Sequence, residues 1–137
     1  MVIPISAGEA VKSLVMRGKS FLASAKANLR RGRHDVACFE ADQAVQLILK
    51  AHIQKRGVRL PRTHSIRRLL GELGALTGKD KEVGKFVSSL RAELITLEDA
   101  YLRARYAVES YVKEDAELCI RQAEEVIKFA EALLEAG

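Results

Sequence analysis

Apolar residues recur at three- and four-residue spacing through most of the chain, the period of amphipathic helices. The densest stretch runs from Asp35 to Arg56. At about 100° per residue, Ala37, Ala44, Leu47, Ile48 and Ala51 project onto one face, and Phe39, Leu49 and Ile53 form a second strip roughly opposite. A helix apolar on two sides belongs in the middle of a bundle. One face serves its own chain, and the other is expected to meet a second partner. Glu40 falls inside the first face, between Ala44 and Leu47 in projection. An unpaired charge buried there is very costly, so a cation or several donors should meet it. Asp42, Gln46 and Lys50 follow four-residue spacing and read as a solvated stripe.

The remaining segments follow the same logic. Ser6-Ala-Gly-Glu9 is a capping-box pattern that opens a first helix near Ala7, with Val11, Leu14, Val15, Gly18, Phe21, Leu22, Ala25 and Leu29 inward. Gly32 suits a C-cap, and the link to Asp35 is short enough to force an antiparallel hairpin. Gly57 and Pro61 mark a turn, GVRLPR, after the central helix. Thr63 is expected to cap a short third helix with Ile66, Leu69, Leu70 and Leu73 on one face. Asp80 opens a long fourth helix carrying Val83, Phe86, Val87, Leu90, Leu94, Leu97, Tyr101 and Ala104. The stretch from Tyr106 to Glu114 loses the period and reads as a loop or break. Glu114 and Asp115 start a last helix with Ala116, Cys119, Ile120, Ala123, Ile127, Ala130 and Leu133 inward. The expected fold is all-α: one antiparallel up-down bundle of four long helices plus one short helix, spanning residues 1–137.

Composition narrows the class. With 48% apolar and 30% charged residues the chain is globular rather than disordered. No apolar run approaches the roughly 20 residues of a membrane span, and the N-terminus lacks a signal-peptide pattern, so a cytoplasmic protein is expected. Cys38 and Cys119 lack metal or redox spacing and read as buried free thiols. His34, His52 and His64 are scattered, so neither a metal site nor a cofactor is expected. A single Asn leans towards the composition of thermophilic proteins. Charge is uneven: residues 1–71 hold 14 Lys+Arg against 4 Asp+Glu, whereas the rest is acidic. No acid occurs between Lys50 and Arg68. A basic rim of Lys50, Lys55, Arg56, Arg59, Arg62, Arg67 and Arg68 suits a polyanion, self-association with the acidic half, or simply water.

From Phe39 to His64 the order Phe-x3-Gln-Ala, then Leu-x-Leu-Lys-Ala, then Gly and Thr-His-Ser resembles the HEPN domain family. The later Leu97-Glu-Asp-Ala-Tyr101-Leu-Arg-Ala-Arg105-Tyr106 is similar to the same family. The resemblance implies an antiparallel helical bundle, usually homodimeric, and association with nucleotide or RNA. It also implies frequent pairing with a minimal nucleotidyltransferase, as in toxin–antitoxin pairs. Several members are metal-independent RNases using Arg and, four to six residues later, His. This chain departs there, because Glu109, Ser110 and Tyr111 follow Arg105. Arg59 and His64 have the spacing but lie before the third helix. Cleavage of RNA needs a proton acceptor as well as charge stabilisation, and Arg supplies only the second.

The candidate ligand-binding residues are Arg105, Arg103, Tyr101, Tyr106, Glu40, His64 and Lys50, with no catalytic residue assigned. Arg105 projects with Leu94, Glu98 and Tyr101, and either pairs with Glu40 or turns to a cleft to hold phosphate. Arg103 points away. Tyr101, Tyr106 and Tyr111 could stack bases or edge the core. His64 either packs or hydrogen-bonds at the helix start. Three readings follow: a nucleotide- or RNA-binding module, an RNase toxin with a non-standard site, and a structural or regulatory partner.

Overall fold

The computed structural model describes residues 6–106 and 111–135, with side chains described for all of these except 104–106. Six helices and no strand occur among the described residues: α1 (Ala7–Arg30), α2 (His34–Lys55), α3 (Ile66–Thr77), α4 (Asp80–Ser89), α5 (Arg91–Tyr106) and α6 (Lys113–Glu135). None is long and apolar enough to cross a membrane.

The N-cap of α1 is as the capping pattern requires: Ser6 Oγ accepts from the Glu9 N–H at 3.1 Å. Gly32, at φ 75°, turns the chain into α2. The two helices approach closely at Gly18. A Cβ there would stand 2.5 Å from Ile48 Cγ1, so only hydrogen lets α1 lie this close.

α2 is the hub, packed against α1, α3, α5 and α6. Its buried set runs almost all round: Ala37, Cys38, Ala41, Val45, Ile48, Leu49 and Ile53 all join one core with α3, α5 and α6. The second strip therefore needs no second chain. Leu49 and Ile53 are fully buried by their own chain, and Phe39 is half-buried against α5. In α3 and α6 every position expected to face inward is buried. Cys38 and Cys119 are buried and free. The hydrogen bond to the neighbouring Cys119 thiol, with burial second, pushes the Cys38 thiol well above its ordinary range.

The long fourth helix is two helices. Leu90 leaves helical geometry at φ −121°, and Ser89 Oγ donates back to the Phe86 carbonyl at 2.8 Å. Such local side-chain bonds compete with the backbone ladder. The break lets α4 stay on α3, where Val83 packs on Gly74, while Phe86 stacks on Phe129 of α6 at 4.0 Å. α5 then turns Leu94, Leu97 and Ala100 into the core. The cap of α3 is Ser65 rather than Thr63. Ser65 Oγ accepts from the Arg68 N–H at 3.2 Å, and Thr63 Oγ1 accepts from the Ser65 N–H at 3.1 Å. α6 opens at Lys113, one residue early, with Asp115 Oδ2 accepting from the Val112 N–H at 2.8 Å.

Candidate functional site

The exposed chemistry gathers where α2, the turn before α3 and the middle of α5 meet. His64 and Tyr101 stack with ring centroids 4.1 Å apart and planes 17° apart, and Phe39 of α2 lies 6.2 Å from the Tyr101 ring. His64 is exposed, while Phe39 and Tyr101 are half-buried, so the three rings make a ledge open on the His64 side.

Two polar anchors hold this ledge. Glu98, one turn before Tyr101, reaches the start of α3. Its carboxylate accepts from the Arg67 N–H at 2.9 Å and from Ser65 Oγ at 3.3 Å, and pairs with the Arg67 guanidinium at 3.2 Å. A carboxylate at a helix N-terminus is favoured by the free N–H groups there. Below the ledge, Gln46 Nε2 donates to the His64 carbonyl and to Asp42 Oδ1, the latter at 3.3 Å.

Asp42 and Gln46 thus leave the solvated stripe assigned from their spacing. They are 0% and 2% exposed. Both project into the same angular sector as Phe39, Leu49 and Ile53, so the core that covers that strip covers them too. Burial pushes the Asp42 carboxyl up to about 7. The Gln46 amide and, more weakly, Gln43 and Lys50 favour its charged form, while Glu98 opposes it. Asp42 Oδ2 and Gln46 Oε1 make no hydrogen bond among the described residues.

Of the seven sequence candidates, Tyr101 and His64 come together at the ledge, and Lys50, half-buried, lies near Asp42 below it. Glu40 lies elsewhere. Its carboxylate accepts from Ser24 Oγ and Asn28 Nδ2 of α1, neutral donors that satisfy it without the cation expected from the helix carrying Arg105. α2 packs against both α1 and α5, which do not pack on each other among the described residues. Arg103 is exposed, its guanidinium 6.0 Å from the Tyr111 ring centroid. Burial raises the Tyr111 phenol to about 12. The side chains of Arg105 and Tyr106, and residues Glu109 and Ser110, lie outside the described residues. Arg67 withdraws from the basic rim to Glu98, whereas Lys55, Arg56, Arg59, Arg62 and Arg68 stay exposed.

Sequence reasoning missed Asp42, Gln46, Glu98 and Arg67 as the frame beneath the rings. The signal for the first two was their projection between Leu49 and Phe39. Nothing in the local pattern marks the Glu98–Arg67 pair, 31 residues apart. No group of three or more His, Cys, Asp or Glu able to hold a metal occurs among the described residues. A ring stack open on one side, beside exposed guanidinium and ammonium groups, can hold a planar base and the phosphates attached to it.

The profile of the family described as "HEPN domain" matches residues 11–133. Among solved structures, TT1696 from Thermus thermophilus is similar at 23% identity with a TM-score of 0.73, covering 90% of this chain and 97% of that one. ST0689, described as an archaeal HEPN homologue, is similar at 21% identity with a TM-score of 0.67, covering 89% and 95%. No curated protein matches the sequence significantly.

Proposed function

The chain belongs to the HEPN domain family, and from that premise we propose that it is a homodimeric binding module for nucleotide or RNA, working beside a minimal nucleotidyltransferase. The observation that carries the reading is the His64–Tyr101 stack, open to solvent and bordered by the basic turn from Lys55 to Arg68. Stacking on aromatic rings tolerates any base, and cations along the strand add affinity that salt removes. His64 is the ring to delete, because its exposed side chain contributes little to the core. His64→Ala should weaken single-stranded RNA binding about tenfold, the loss expected for one stacked base, and lower stability by no more than about 1.5 kcal/mol through loss of its stack on Tyr101. Arg62→Ala and Arg68→Ala should each lower the salt slope of binding by about one. Binding that is flat between low and high salt would retire the reading.

The RNase alternative is tested with the same RNA. Cleavage that survives a chelator and disappears in Arg105→Met would replace the binding module with an enzyme.

A further inference from the structure

Among the described residues, half of α1 has a face that no other helix covers. A groove of about 640 Å³ runs along it, lined among others by Glu9, Ser13, Met16, Arg17 and Phe21, with Glu40 of α2 at its inner edge. Met16 is 69% exposed, more than any other exposed large apolar side chain among the described residues. The face also carries a symmetry. Glu9 and Arg17 stand four residues before and after Ser13, and at about 100° per residue they project about 40° to either side of it. Both are exposed, and neither enters an ion pair among the described residues, where the pairs are Lys26–Glu124 and Arg67–Glu98.

A two-fold axis through Ser13 reverses the helix direction and exchanges those two positions. Glu9 of one copy then faces Arg17 of the partner subunit, and the reverse pair forms on the other side. Opposite charges placed evenly about one small residue are self-complementary in this one arrangement, as an isologous contact requires. A parallel crossing would set Glu9 against Glu9 of the partner subunit. We propose that two copies of this chain meet on this face, α1 crossing α1 antiparallel at Ser13. The apolar surface of Met16, close to the axis, supplies affinity, and the reciprocal Glu9–Arg17 pairs set the register. The inference rests on the dimer of the preceding reading and names its surface. The strip of Phe39, Leu49 and Ile53 is excluded from that role, since the chain's own core buries most of it.

Charge reversal and cross-linking test the crossing. Sedimentation velocity over a concentration series should show Arg17→Glu and Glu9→Arg each dissociating at least about tenfold more readily than the parent, with the double variant back within about threefold. Glu9→Arg also places a cation in the first turn of α1, so the geometry is read independently at the axis. Ser13→Cys, oxidised with copper phenanthroline, should give a covalent dimer on a non-reducing gel, and Ala23→Cys should not. Cys38 and Cys119 are buried and leave that readout clean. A dimeric parent that neither reversal loosens, with Ser13→Cys remaining monomeric on the gel, would move the interface to another face while the dimer stands. A parent that stays monomeric at about 100 µM, a level at which even weak specific pairs with micromolar dissociation constants associate, would remove both the dimer and this face.

Discussion

Asp42 is the buried group on which the fold's pH dependence turns. The carboxyl is fully buried, accepts one hydrogen bond from Gln46, and leaves Oδ2 without a partner among the described residues. Burial raises its pKa from 3.8 to about 7, and Glu98 on the neighbouring helix adds to the rise. The folded pKa lies above the unfolded one, so between those limits the folded chain holds a proton that the unfolded chain has released. The contribution is therefore whole below pH 4, falls as pH rises, and is gone above about pH 7. At about 1.4 kcal/mol per pKa unit the loss amounts to roughly 4 kcal/mol. Asp42→Asn keeps the shape and the acceptor for Gln46 and cannot ionise. In urea melts it should match the parent near pH 4.5 to within about 1 kcal/mol and exceed it at pH 8 by about 3–4 kcal/mol. His52 adds a second pH-dependent contribution. Burial lowers its pKa, so its contribution is present above pH 6.5 and is lost as pH falls below it. Comparing variant with parent at each pH cancels that term. An Asp42→Asn protein less stable than the parent at pH 8 would refute the argument, because it would mean that the carboxylate is ionised and paired in the fold.

Gly18→Ala improves helix propensity by about 1 kcal/mol yet should lower stability by about 1–3 kcal/mol, since its Cβ meets Ile48 Cγ1 and the Ala44 carbonyl at 3.1 Å. Combined with Ile48→Ala, the total loss in urea melts should be smaller than the sum of the single losses. Glu98→Gln removes the charge from the bonds at the start of α3 and should cost about 1–2 kcal/mol, with hydrogen exchange at the Arg67 amide faster than in the parent. Unchanged exchange there would show that α3 is held by other contacts. His52→Gln should flatten the acid side of the stability curve below pH 6.5, and an unaltered acid limb would remove His52 from the account.

The sequence by itself determined where the helices lie and which side of most of them is buried. The inward positions of α3 and α6 could be read one by one, because a helix covered on one side needs only a local three-and-four repeat. The Ser6 cap and the turn at Gly32 were equally local. Tertiary structure decided the rest. The repeat of Val83, Leu94 and Leu97 runs unbroken across Leu90, so periodicity could not show that α4 and α5 answer to different neighbours. Glu40 needed partners, but whether α1 or α5 would supply them depended on which helix docks on that side. Asp42 and Gln46 looked like a wet stripe until three other helices closed over α2. Helical period belongs to one segment, whereas the burial of a polar group and the donor that meets it depend on the segments packed around it. That dependence produced the frame under the His64–Tyr101 ledge, and a linear reading cannot contain it.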